Sequence, residues 1–358
     1  MSKQIKQLDF TGQDFFIGID VHKKQWTIAI RWRNTELKRF SMNPSPDELY
    51  KFMTKNYPGG TYHSAYEAGF CGFWVHRRLS ELGFKSRVVN AADIPTTQKE
   101  KEQKRDMSDA GKQSRELENG SLRSIYVPDM YHQHLRSLVR LRLRLVRDQT
   151  RVKNRIKGFL HFNGILIPSH QELPHWSRPF ISWLSSLRFS EPPGNEYMAI
   201  CLRQLENIRQ EILTVTRSLR AHIRQGPGKE IVFDYLLSVP GIGFIIAAAL
   251  YSELVEMRRF PRFDQLANYV GLVPSVYSSD EKEINRGITR RKNGYLRPLL
   301  VEAAWVAVRK DPALTMAFAE LSKRMKRQDA IIHITKKLLN RVRYVWYHKT
   351  TYSYSVIQ

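Results

Sequence analysis

Cysteine is scarce in this chain. Cys71 and Cys201 are the only two among 358 residues, which rules out a disulfide framework and a thiolate metal site and points to a reducing, intracellular compartment, the cytoplasm. Long apolar runs are lacking too. The longest, residues 244–251, falls far short of the roughly 20 residues that span a bilayer, so no membrane partner is expected. The first residues, MSKQIKQLDFTGQD, hold no apolar signal core. There is no Gly-x-x-x-x-Gly-Lys loop for a nucleoside triphosphate, no internal repeat and no low-complexity tract. Acidic residues are also few: 34 Asp and Glu stand against 58 Lys and Arg, a net charge of +24. Such a surplus repels itself in a compact state, so a polyanion is the expected partner, nucleic acid before an anionic membrane surface. The apolar content of 42% is ordinary, and the length suffices for two or three domains.

The first part of the chain alternates strands and helices. Residues 15–19 (FFIGI) form a continuous apolar run, as in a strand buried on both faces, and end at Asp20. Residues 26–30 and 37–42 read as further strands, and 47–55 as a short helix. A strand at 61–65 leads to Glu67, a helix at 72–82 ends at Gly83, and 86–90 is another strand. This pattern predicts an α/β domain with a mixed sheet. After the charged run 99–105, a helix is expected from Asp106 to about Leu117, which places Asp106 and Asp109 on one face.

The remainder reads as helical. Residues 135–160 predict a long helix with nine basic residues between Arg136 and Lys157, among them Arg140, Arg144, Arg147 and Arg151. Such a row is either a solvated face or a nucleic-acid contact. Residues 191–194 (EPPG) read as a break. Cys201, Leu205, Ile208, Ile212, Val215 and Leu219 then follow a coiled-coil seam. The two helices can form one antiparallel hairpin or mediate dimerisation, and the pattern does not choose. Residues 295–308 and 331–347 are further helices.

Three constellations carry chemistry. Asp20, Glu67, Asp106 and Asp109 can converge at one sheet edge as hard oxygen ligands for Mg²⁺, with Mn²⁺ as a substitute. In two-metal phosphoryl transfer such a set holds ions about 4 Å apart. Taken singly, each acid reads better as a turn or helix cap, and it is the four together in so basic a chain that favour the metal. Val239-Pro240-Gly241-Ile242-Gly243 resembles a helix-hairpin-helix, in which Gly241 and Gly243 admit a phosphate backbone, or else forms a tight turn in a core. Ser278 and Ser279 lie in a polar stretch, expected to be a loop, beside Arg286, Arg290, Arg291 and Lys292. A serine beside cations can attack a phosphodiester, although Ser-Ser is commonly just a turn.

Together these pieces resemble the DEDD-type insertion-sequence transposases, the bridge-RNA-guided serine recombinases. FIGIDVHKK, YEAG and KRDMSDA carry the likeness in the first half. LLSVPGIG, ANYVGLVPSVYSS and RGITRRKNGYLRPLLVEAAW carry it in the second. The resemblance implies an RNase H/RuvC-like domain (1–130) whose acids are Asp20, Glu67, Asp106 and Asp109. A basic helix and coiled-coil segment (131–229) and a mainly α serine transposase domain (230–358), with Ser279 as nucleophile, would follow. It further implies joining of donor and target DNA through a 5′-phosphoserine link, selection of both DNAs by a structured guide RNA, and dimers assembling into a tetramer. The chain departs from the family pattern at Asp280, where glycine is usual, and at Pro298, where a basic residue is usual. Two other readings are a metal-dependent nuclease or junction resolvase that uses water, and a nucleic-acid-binding protein without catalysis.

Overall fold

The computed structural model describes residues 8–94, 106–279, 282–288 and 293–354, with the main chain alone at 106–108, 274–279 and 282–288. The chain divides into two compact units, Met1–Val127 and Pro128–Gln358.

The first unit is built on a five-stranded mixed sheet. β1 (Asp14–Val21), β2 (Trp26–Trp32) and β3 (Thr35–Met42) form an antiparallel meander. α1 (Pro46–Asn56) then crosses to β4 (Thr61–Glu67), and α2 (Trp74–Glu81) crosses to β5 (Lys85–Val89). β4 lies parallel to β1 and β5 parallel to β4, giving the order β3-β2-β1-β4-β5. This is the α/β mixed sheet that the strand and helix alternation predicts. Ser45 starts α1, its hydroxyl accepting from the Glu48 amide at 3.2 Å, and Pro46 follows it at the first helical position.

Strand alternation sorts the side chains of β1 and β4 between two faces. Phe15, Ile17 and Ile19, with Tyr62 and Tyr66, face Leu49 and Met53 of α1 and Val75 and Leu79 of α2 in one core. The opposite face is much flatter. There Ala65 and Val89 meet Leu117 of α3 (Asp106–Glu118). Gly18 allows the close approach: a Cβ on it would lie 1.9 Å from the Ala110 carbonyl oxygen and 2.6 Å from the Ser114 amide nitrogen. α3 therefore rests on the main chain of β1, with no side chain as a spacer. Its far end is fixed by Glu118, which takes Arg31 Nε at 2.8 Å and the Asn34 amide at 2.7 Å.

The second unit is mainly helical. α4 (Met130–Phe162) starts at Asp129, which caps the His132 amide, and runs for 33 residues. α5 (Arg178–Ser186) and α6 (Pro192–Gln225) follow. α4 and α6 pair within the chain as an antiparallel hairpin. Tyr131 donates to the His222 carbonyl at 3.2 Å, Arg142 to Thr216 at 2.8 Å and Arg155 to Gln204 at 3.0 Å. The expected break at 191–194 is instead the start of a helix: Pro192 and Pro193 occupy its first turn, where a missing N–H costs nothing. Along the expected seam, Cys201, Leu205 and Leu219 are buried, while Ile208, Ile212 and Val215 between them are half-buried.

α7 (Phe244–Leu254), α8 (Phe263–Val270), α9 (Leu296–Lys310), α10 (Pro312–Arg324) and α11 (Arg327–His348) surround the largest core. α7 is its centre, buried from Ala247 to Leu254. Between α8 and α9, the stretch expected to be a polar loop forms a hairpin: β6 (Pro274–Ser279) pairs antiparallel with β7 (Lys282–Ile288). No helix among the described residues is long and apolar enough to cross a membrane.

Candidate functional site

The flat face of the first sheet is where the acids gather. Ile19 pairs with Tyr66 across β1 and β4, so the next step in register sets Asp20 level with Glu67 at the C-terminal ends of two adjacent parallel strands. Both share the face of Gly18 and Ala65, the face on which α3 lies. Asp109 precedes Ala110, the residue whose carbonyl presses on Gly18. The close approach of helix to strand thereby brings a third acid to the first two. Position 106 lies one turn before Asp109 on α3, and its side chain lies outside the described set.

Asp20 and Asp109 lie close enough to Glu67 for their charges to act on its carboxyl. Burial pushes the Glu67 carboxyl above its ordinary range, the charges of Asp109 and Asp20 push it the same way, and the charge of Lys112 opposes them. His22 Nε2 lies 3.1 Å from Asp20 Oδ2. Neither His22 nor Gln113 was singled out from the sequence. His22 stands in a turn among lysines, and a neutral Gln inside a polar helix carries no charge signature. Among the described residues, no group of three or more His, Cys, Asp or Glu side chains is close enough to hold an ion as placed. The donor set still fits a hard divalent cation. It is all carboxylate, and the repulsion of Asp20 and Asp109 falls on a half-buried Glu67.

The serine hairpin lies in the second unit. Ser279 pairs with Lys282 and Ser278 with Glu283, so both serines end a strand at the tip of a hairpin. Arg286 lies on β7. Asp280, Arg290, Arg291 and Lys292 lie outside the described residues. The chain re-enters the core at Asn293. Its amide donates to Glu253 Oε2 at 3.0 Å, and its oxygen accepts from the amides of Tyr295 and Leu296, which starts α9. Pro298 falls in the first turn of that helix.

The other sequence-derived positions are placed as follows. Gly241 has a φ of +86° and packs on α9, where an added Cβ would lie 2.3 Å from the Ala303 carbonyl oxygen. Gly243 caps α7 in open surroundings, with nothing within 4 Å of a Cβ there. Arg140 pairs with buried Glu253 through two bonds of 2.7 and 3.0 Å, so its charge is taken up inside the fold. Arg147 lies over the Tyr295 ring at 6.0 Å, Arg151 pairs with Asp148 at 2.6 Å, and Arg144 is exposed.

Comparison with known proteins adds the context. Residues 17–163 match the DEDD transposase model of IS110 elements, and residues 234–319 match the model described as transposase, IS116/IS110/IS902 family. The chain is 30% identical to the Sinorhizobium fredii protein named "Putative transposase y4rJ", over 76% of this chain and 74% of that one. It is 29% identical to the transposase for insertion sequence element IS1111A of Coxiella burnetii, over 67% of this chain and 64% of that one. With the transposase for IS1533 of Leptospira borgpetersenii the identity is 25%, covering 85% and 92% of the two chains.

Proposed function

Because the chain belongs to the IS116/IS110/IS902 family of insertion-sequence transposases, we propose that it joins donor and target DNA through a covalent 5′-phosphoserine intermediate on Ser279, with guidance by a structured RNA. The observation that carries the phosphoryl-transfer reading is the convergence of Asp20, Glu67 and Asp109 at adjacent ends of the sheet and α3. Asp20, Glu67, Asp106 and Asp109 would hold a divalent cation, Mg²⁺ or Mn²⁺, which supplies charge neutralisation at the scissile phosphate when bound.

In the proposed reaction Ser279 Oγ bonds to phosphorus as the bond from phosphorus to the 3′-oxygen breaks. The serine proton leaves to a base, and the departing strand ends in a 3′-hydroxyl. After strand exchange, a 3′-hydroxyl attacks the phosphoserine, the Oγ–P bond breaks and the serine regains its proton. One phosphodiester replaces another, so no nucleotide energy source is required. Arg286 and Arg290 are assigned to steadying the phosphate, a role suited to their forked donors. The exposed Arg144, with Arg147 and Arg151, gives the long helix α4 a face for nucleic-acid backbone. Donor DNA, target DNA, guide RNA and further copies of the chain, assembling as dimers into a tetramer, are the partners of this reading.

A second reading has one specific support: the acidic centre by itself is sufficient for metal-dependent hydrolysis by water, as in a RuvC-like nuclease. Covalent trapping separates the two. The protein is incubated with Mg²⁺, labelled junction DNA and RNA transcribed from the flank of the element, then denatured. A labelled adduct present in the wild type and in Ser278→Ala but absent in Ser279→Ala is the expected result. Cleaved DNA without an adduct, unchanged in both variants, establishes the hydrolytic reading instead.

A further inference from the structure

The acidic site contains a neutral side chain whose environment neither the family nor the charge pattern explains. Gln113 lies one turn after Asp109 on α3 and is 1% exposed. With its amide in one orientation, Nε2 donates to Glu67 Oε1 at a long 3.4 Å. Turned over, the same nitrogen donates to two main-chain oxygens, Ile19 at 3.0 Å and Ala65 at 3.1 Å. Two bonds of ordinary length outweigh one long bond, so the turned orientation is favoured.

That orientation has two consequences. First, the amide N–H₂ group cross-links β1 and β4 at their carbonyls just before Asp20 and two residues before Glu67. The helix that carries Asp109 is thereby tied to the strands that carry the other two acids. Second, the amide oxygen now faces Glu67 Oε1 at 3.4 Å, acceptor against acceptor. A buried amide oxygen and a half-buried carboxylate oxygen this close repel unless a proton or a cation is shared between them. Two oxygen ligands at right angles on one Mg²⁺, each about 2.1 Å from it, lie about 3 Å apart, close to the spacing seen here.

We infer that Gln113 is a positioning residue of the acidic site, spacing the two strand ends through its N–H₂ group and presenting a neutral oxygen, beside Glu67, to a divalent cation. The inference rests on the metal reading proposed above. It adds a fifth side chain to the four acids and accounts for a buried amide beneath a cluster of like charges.

Mn²⁺ binding to the full-length, metal-stripped protein tests it, by titration calorimetry and by thermal unfolding with and without Mn²⁺. Gln113→Met keeps the side-chain length and removes both polar functions. It is expected to weaken Mn²⁺ binding ten- to hundredfold, as expected for a group that orients or supports metal ligands, and to abolish most of the Mn²⁺-induced rise in Tm. Gln113→Glu restores an oxygen and adds a charge. It is expected to unfold at a lower temperature than wild type without metal and to gain more from Mn²⁺ than wild type does. Wild-type Mn²⁺ affinity in Gln113→Met overturns the inference, whatever happens to its Tm. Should Gln113→Met fail to fold, Gln113→Glu decides: a gain from Mn²⁺ no larger than that of wild type overturns it equally. A wild-type protein that binds no Mn²⁺, and matches Asp20→Asn in this respect, overturns the metal reading itself and the inference with it.

Discussion

Glu67 and Glu253 both sit near the end of a regular element against a packed core, and their surroundings are opposite. Glu253, 1% exposed, has Arg140 bonded to both its oxygens, Arg136 at 3.5 Å and the Asn293 amide at 3.0 Å. Arg136 also donates to the carbonyls of Ser252 and Glu253, which places two cations at the C-terminal end of α7, where the helix dipole favours them. Glu67 instead has two acids, Asp20 and Asp109, beside the one cation Lys112 among the charges that act on it, and burial with the two acids pushes its carboxyl up. A fold that neutralises one buried acid with two arginines is able to do so at the other. The paired Glu253 belongs to the architecture, whereas like charges beside a half-buried Glu67 mark a candidate site.

This contrast can be broken by substitution. Asp20→Asn and Glu67→Gln are expected to reduce strand joining about a thousandfold, the scale of several kcal/mol of transition-state stabilisation. Their Tm in EDTA should stay level or rise, because a like charge has been removed; a fall would erase the difference from Glu253. Glu253→Ala should act in the reverse sense, costing about 3–5 kcal/mol in urea unfolding by stranding Arg140 and Arg136. Adding Arg140→Met to it sharpens the test, since part of that loss should return once the stranded cation is gone. Gly18→Ala probes how the acidic site is assembled. Its methyl would meet the α3 main chain, so a loss of about 1–3 kcal/mol is expected together with reduced activity. His22→Ala should have the smallest effect, a few-fold on activity and within about 0.5 kcal/mol on stability, because the His22 side chain is 60% exposed.

Much of the first unit is legible in the sequence because its signals are local. The run 15–19, the alternation ending at Glu67 and the turn at Gly83 each correspond to an observed element. Strand ends in a parallel pair set Asp20 level with Glu67, and the helix on the face above them carries Asp109. What escaped has a physical reason in each case. The strands 274–279 and 282–288 are a hydroxyl-rich stretch followed by a charged one, so they read as loop although their main chains pair. α5 and α8 run for only nine and eight residues, and α10 opens on a proline, so each offers few turns of apolar spacing to detect. Pro192 and Pro193 look like an interruption but open α6. Gln113 acts through amide geometry and Arg140 through a partner 113 positions away, and neither property has a periodicity to detect.

The α4–α6 hairpin has a consequence of scale. At its base Leu135, Val139, Leu219 and Ile223 belong to the main core of the second unit. At its far end Val152, Ile156, Leu160, Met198, Cys201 and Leu205 close a separate core with Phe180 and Leu184 of α5, beyond which Phe162 and Leu166 are almost fully exposed. A helix of 33 residues is about 50 Å long. Along a DNA duplex that distance spans about 15 base pairs. Secured by packed side chains at both extremities, the hairpin is a strut of fixed length, and that length is written into the number of residues in α4.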